Sequence, residues 1–116
     1  MKTHKDLDIW IESIELVKEI YAICSLFPKE EKYNLAAQIK HSAVSIPSNI
    51  AEGAARSSKR EFIHFLYISL GSLAELETQL IIARQLNFLN NDNIFSEIEK
   101  NRRKILNFIK YLKNKK

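Results

Sequence analysis

Apolar residues in this chain return at steps of three and four along four long stretches, and that spacing admits few folds. Leu7, Trp10, Ile14, Val17, Tyr21 and Cys24 make one row, with Ile9, Leu16, Ile20, Ile23 and Phe27 in a second beside it. Rows spaced this way lie along one face of an α-helix. The residue before a proline is pushed out of helical geometry, so Pro28 ends a helix A expected over residues 6–27. After Tyr33 the pattern resumes at Leu35, Ile39, Ala43, Ile46, Ile50 and Ala54, giving a helix B that runs to about Arg56. Ser58 and Glu61 have the spacing of a capping box, in which the hydroxyl accepts from the third helical amide while the carboxylate reaches back to the cap. They open helix C, where Phe62, Leu66, Ser69, Leu73, Leu76, Leu80 and Ala83 form one heptad-spaced row and Ile63, Tyr67, Leu70, Ala74 and Ile81 another. Small residues there, Ser69, Gly71, Ser72 and Ala74, would admit a neighbouring backbone. Asn90 is the expected cap of helix D, over residues 91–114, with Ile94, Ile98, Ile105, Ile109 and Leu112 on one face. Two glycines and two prolines in 116 residues disfavour a sheet. Short connections make successive helices antiparallel neighbours. The expected fold is all-α, an antiparallel up-down-up-down four-helix bundle in which residues 1–116 are one domain.

Pro47 lies inside the row of helix B. In a regular helix interior a proline removes an amide donor and clashes with the preceding turn, at about 3 kcal/mol. The row keeps phase through Ile46 and Ile50, so the expectation is a Pro-bent helix rather than a break, with Ser48 and Asn49 as candidates to satisfy the Ala43 carbonyl. Gly53 weakens the closing turn and permits close packing. Ser45, Asn49 and Glu52 fall on nearby turns and could form a polar network, structural or at a binding surface. Helices A and C carry more apolar surface than one stripe each, which predicts self-association through them. The alternative is a core that wraps helix C more completely.

Most enzymatic and metal chemistries find no support in the sequence. Cys24 is the single cysteine, so no internal disulfide forms, and its place in an apolar row suits a buried small residue. No signal-peptide pattern is present, and no apolar run reaches the roughly 20 residues that span a bilayer. A cytoplasmic protein with no membrane partner is therefore expected. Glu61 and His64 have Glu-x-x-His spacing, but a dinuclear site needs a second such pair and two more carboxylates. His4 and His41 have no ligand spacing with each other or with Cys24. Glu75 and Glu77 flank Leu76 and diverge around the helix. With no phosphate loop or nucleophile elbow either, neither an enzyme nor a cofactor is expected.

What remains is charge. Residues 100–116 hold eight basic residues and no acid, whereas residues 1–99 hold ten basic against fourteen acidic. Such polarity suits an anionic partner, RNA or DNA, or an acidic protein face, but it also suits a solvated helix end. The candidate nucleic-acid-binding residues are Arg56, Lys59 and Arg60 at the B–C corner, Lys40 on helix B, and Arg102, Arg103 and Lys104 on helix D. The competing reading is a protein-interaction scaffold.

The run "YNLAAQIKHSAVSIPSNIAEGAARSSKREFIHFLYISLGSLAELETQLIIARQLNFL", with "LDIW" before it, resembles the 23S rRNA-intervening-sequence proteins, also called the four-helix-bundle protein family. "SIPSNIAEG" followed by "GSLAELETQL" carries the likeness, so Ser45, Pro47, Asn49, Glu52 and Gly53 are its motif residues here. Asn34 stands where the family commonly has glycine; asparagine tolerates a left-handed or capping conformation. The resemblance implies a bacterial four-helix bundle assembled as a homopentamer. It is also similar to accessory proteins of diversity-generating retroelements, which implies nucleic acid and a reverse transcriptase as possible partners.

Overall fold

A computed structural model describes residues 3–90 and 92–115. It holds four α-helices, α1 (Asp8–Cys24), α2 (Leu35–Ala54), α3 (Lys59–Gln85) and α4 (Asn93–Asn114). Single-turn 3-10 helices lie at His4–Asp6 and Lys29–Glu31, and no strand occurs among the described residues. The all-helical bundle expected from the apolar spacing is thus observed. Asn91, the expected first residue of helix D, and Lys116 lie outside the described residues.

Residue pairs between neighbouring helices ascend in one and descend in the other. Ile46 and Gly53 of α2 meet Ser69 and the pair Phe62 and Phe65 of α3. Lys59, Tyr67 and Glu77 of α3 meet Lys115, Lys113 and Arg102 of α4. Glu12 of α1 pairs with Lys100 and Lys104 of α4, while Cys24 at the end of α1 reaches Ala36 at the start of α2. Each helix packs on two others, while the diagonal pairs, α1 with α3 and α2 with α4, bring no pair of described residues within 8 Å between Cα atoms and meet only through side chains in the core. The rod measures 49 × 22 × 19 Å. Its length follows from the 27 residues of α3, which at 1.5 Å per residue reach about 40 Å.

All seven residues of the heptad-spaced row in α3, Phe62 to Ala83, are buried, and they meet Ile39, Ala43, Ile46 and Ile50 of α2 and Ile94, Ile98 and Ile105 of α4 in one core. In α1 the two rows separate. Ile9, Leu16, Ile20 and Ile23 enter the core, joined by Ser13, whose hydroxyl is satisfied by the Trp10 carbonyl at 2.8 Å. Trp10, Ile14 and Val17 instead lie half-buried in a groove against Val44, Pro47 and Ala51 of α2. Most of the surplus on helix A is therefore absorbed by α2. The surplus on α3 is not. Tyr67, Ile68, Ile81, Ile82 and Leu86 are exposed, and Gly71 has no atom within 4 Å of where a Cβ would stand. Gly71 therefore does not mediate helix approach within the bundle, as the small-residue pattern suggested. By length and composition α3 is apolar enough to cross a membrane, with a third of its most apolar stretch buried; its core row is committed to the bundle.

The closest helix contact is between α2 and α3. A Cβ at Gly53 would stand 2.8 Å from Phe65 Cβ and 2.9 Å from Phe62 Cδ1. Ser69 donates across the same interface to the Ile46 carbonyl at 2.9 Å. α2 runs unbroken through the buried Pro47. Ser48 and Asn49 do not serve the Ala43 carbonyl, because each bonds one turn back along its own phase, to Val44 and Ser45, at 2.8 Å.

Four cap expectations change. Helix α2 ends at Ala54, so Gly53 serves the α3 contact more than the closing turn. Ser58 accepts from the Glu61 amide as expected, but the Glu61 carboxylate accepts from the Ser58 hydroxyl rather than from its backbone. Asn34 has φ −116°, not a left-handed conformation, and it is Glu31 that accepts from the Leu35 amide. Asn90 does not cap α4. Asn87 takes φ 65° and closes α3 with a Schellman pair, Phe88 N–H to Ala83 and Asn87 N–H to Arg84, so Phe88, Leu89 and Asn90 belong to the linker and Asp92 precedes α4.

Candidate nucleic-acid interface

Antiparallel packing of an even number of helices brings the end of α2, the start of α3, the end of α4 and the chain before α1 to one end of the rod. A cleft of about 880 Å³ opens there, lined by Leu7, Phe62, Phe108, Tyr111 and Leu112 on its floor and Arg56, Lys59 and Lys115 at its rim. No Asp or Glu is among the described residues that line it. Each cation is held by a neighbour. Arg56 pairs with Glu52 at 3.1 Å and lies 4.8 Å above the Phe65 ring. The Lys59 ammonium donates to the Lys115 carbonyl, and the Lys115 ammonium lies 5.9 Å from the Tyr111 centroid. One turn away, Lys113 donates to the Tyr67 hydroxyl at 3.0 Å. Arg60 is exposed and makes no hydrogen bond or ion pair among the described residues.

The structure does not bring the seven candidate basic residues together. Arg56, Lys59 and Arg60 share the corner. Arg102 to Lys104 lie eleven or more residues before Lys115 on α4, about 17 Å away along the helix axis, beyond a Debye length of about 10 Å. Two of those three are already engaged, Arg102 with Glu77 at 2.8 Å and with Glu99, and Lys104 with Glu12 at 2.6 Å. Arg103 alone among them is exposed without an acidic partner among the described residues. Lys40 sits on the outer face of α2, 4.9 Å from the Tyr21 ring and about 21 Å along the helix from Ala54. Three of the eight basic residues after residue 99 are thus paired with acids, Lys100 and Lys104 with Glu12 of α1 and Arg102 with Glu77 of α3 and Glu99 of α4. Toward the far end, burial, together with the carboxylates of Glu97 and Glu15, pushes the Glu19 carboxyl above its ordinary range. Lys59, Arg60, Lys113 and Lys115 make no ion pair among the described residues, and all four stand at the corner.

The motif residues act locally. Ser45 donates to Ser42 and Asn49 to the Ser45 carbonyl along α2, while Glu52 pairs with Arg56 beyond its end and bonds to neither, so the three do not close into one network. Pro47 is buried in the α1 groove and Gly53 in the α3 contact. Glu61 is occupied by its cap, and no group of three metal-ligating side chains occurs among the described residues. Cys24 is buried, its thiol donating weakly to the Ala36 carbonyl at 3.9 Å, and desolvation pushes its pKa up to about 11 against a smaller opposing pull from Lys40.

Lys113, Lys115, Phe108 and Tyr111 are site residues that the charge count alone did not single out. Their signal was register: if α4 runs antiparallel to α3, its last turn must lie beside Ser58 and Lys59. The sequence model of the family described as 23S rRNA-intervening sequence protein matches residues 5–111, which takes in α1 to α3, all of α4 but its last three residues, and the corner except Leu112, Lys113 and Lys115. No curated protein matches the chain. With the family model covering nearly its whole length, the chain belongs to the 23S rRNA-intervening sequence protein family.

Proposed function

We propose that this protein is a non-enzymatic, oligomeric nucleic-acid-binding accessory protein, with RNA as the first ligand to test. The observation that carries the reading is the cationic corner, where Arg56, Lys59, Arg60, Lys113 and Lys115 gather around a cleft that has no Asp or Glu among its described lining residues. Phosphates are the anions such a surface attracts most broadly. The uncovered face of α3 supports self-association, since an apolar strip along one helix normally finds a partner. A second copy would repeat the corner and multiply weak phosphate contacts. The family resemblance makes a pentamer the first assembly to look for.

Two measurements test the reading. Binding of RNA at several salt concentrations should give a log–log slope that falls by roughly 0.7 for each phosphate contact removed. Neutralising Arg56, Lys59, Arg60 and Lys115 together should flatten it, whereas neutralising Arg102, already tied to Glu77 and Glu99, should not. A slope unchanged by the corner variant, or no binding at all, removes nucleic acid from the reading. Light scattering should show a multimer that Ile68→Glu with Ile82→Glu reduces to monomers. A wild-type monomer at micromolar concentration removes the oligomer.

The same α3 face favours a second reading, a scaffold for another protein without nucleic acid. It is the reading left standing if the salt experiment fails while scattering or crosslinking finds the face covered.

A further inference from the structure

The corner cleft has two kinds of wall. Cations hold its rim, and a continuous aromatic surface forms its floor. Phe62 and Phe108 pack edge to face with centroids 5.6 Å apart, and Phe108 and Tyr111 stack at 27° with centroids 5.9 Å apart. Tyr111 is 57% exposed, with Phe108 stacked against its ring and the flexible Lys115 side chain holding its ammonium 5.9 Å over the ring centroid.

An occupant complementary to these walls is anionic at one edge and flat and apolar at the other. We propose that the cleft receives a nucleotide of a single-stranded nucleic acid, its base stacked on Tyr111 in the place of the Lys115 ammonium, with Phe108 backing the ring from the other side, and its phosphate among Lys59, Arg56 and the displaced Lys115. This rests on the nucleic-acid reading above and adds to it a site and a strand preference. In a duplex the bases are stacked on one another and only phosphates face outward, so a duplex can use the rim but not the floor. A single strand can use both, and the stacking surface of an aromatic ring accepts any base.

The amino end of α3 is not the anion site. Ser58 already takes the Glu61 amide, and the Glu61 carboxylate sits at that hydroxyl, 3.0 Å away, where it would repel a phosphate. The side chains of the rim must supply the attraction. A fatty acyl chain fits less well, because apolar ligands are held in sites that bury most of their surface, and this cleft is open along one side. A base needs cover on one face only.

The experiment is fluorescence anisotropy of the full chain with a labelled RNA of about ten nucleotides, without self-complementarity, and with the duplex made from it. The single strand should bind at least about tenfold more tightly than the duplex. Tyr111→Leu should weaken the single strand by about fivefold to a hundredfold and leave the duplex affinity little changed. Tyr111→Trp should recover the single-strand affinity relative to Tyr111→Leu. Tyr33→Leu, which removes a ring 82% exposed on the far side of α2, serves as the control for unspecific stacking and should have no effect. Circular dichroism of each variant confirms the fold, which an exposed ring does little to support. Equal affinity for strand and duplex, or indifference to Tyr111→Leu, overturns the cleft assignment while leaving the nucleic-acid reading intact. Failure of both RNAs to bind overturns both. Displacement of the RNA by a fatty acid or an acidic peptide that binds more tightly and depends on Tyr111 also overturns it, by naming a different occupant.

Discussion

The two glycines of this chain offer an internal comparison, because both lie inside helices and only one is packed. Replacing a helical glycine by alanine gains about 1 kcal/mol from backbone entropy when nothing obstructs the new methyl. At Gly71 nothing stands within 4 Å, so Gly71→Ala should stabilise the isolated bundle by roughly 0.5–1 kcal/mol. At Gly53 the methyl would meet Phe65 Cβ at 2.8 Å, Phe62 Cδ1 at 2.9 Å and the Phe62 carbonyl oxygen at 3.2 Å. The Phe62 ring can rotate away, but Phe65 Cβ and the carbonyl are fixed to the backbone of α3, so the helices must separate by about half an ångström or more. Overpacking of this kind costs ~1–3 kcal/mol, and separation also lengthens the 2.9 Å bond from Ser69 to the Ile46 carbonyl. After the entropic gain, Gly53→Ala should be destabilising by about 1–2 kcal/mol. Urea denaturation at protein concentrations where the chain is monomeric measures both. With a slope of ~1–3 kcal/mol per molar, the Gly53 variant should lose on the order of 1 M in its midpoint, and the Gly71 variant should gain a few tenths. A Gly53→Ala protein as stable as Gly71→Ala would refute the close approach of α2 and α3.

Glu19 and Cys24 give two further expectations, both readable by titration. The folded-state pKa of Glu19 is raised, so the folded chain holds more protons than the unfolded one just above the ordinary carboxylate pKa, and stability falls as pH rises through that window. Glu19→Gln should therefore stabilise at pH 7, by about 0.2–0.5 kcal/mol from removal of the Glu15 repulsion alone, and thermal melts below pH 4 should show the advantage gone. With a pKa pushed from 9.0 to about 11, Cys24 at pH 8 carries about a hundredfold less thiolate than a free thiol. An aromatic disulfide reagent should react with the folded protein at least that much more slowly than with the urea-unfolded chain; comparable rates would mean that α1 opens readily at its carboxyl end.

How far the sequence could be read differs from element to element, for physical reasons. The core row of α3 was legible to the residue, because Phe62 to Ala83 satisfy one spacing without exception. Helix A was not, because its two apolar rows are adjacent, and only packing decides that Leu16 is buried while Tyr21 is 45% exposed. Ser13 in the core could not be anticipated from hydrophobicity, since its burial depends on a hydroxyl bond to Trp10. The cap at Asn90 failed because Asn87 in a left-handed conformation turns the chain three residues earlier, and Leu89 is then buried beneath the linker. Among the site residues, the corner was visible as a local cluster. The engagement of Arg102 and Lys104 was not, because Glu77 and Glu12 are 25 and 92 residues distant and meet them only through interhelical register.

The unequal packing of the four helices has a kinetic consequence. α2 and α3 are joined by only four residues, 55–58, and share the most extensive contact of the bundle, whereas α4 makes the least. Local hairpins close at small entropic cost, so this pair is the natural nucleus and α4 the element that docks last and frays first. Amide protons of α4 should accordingly exchange fastest among the core helices. Phe108, Tyr111 and Leu112 ride on that helix and Lys115 directly follows it, which means half of the cleft exists only while the final helix is seated, and whatever settles there acts as a clasp on the molecule's loosest seam.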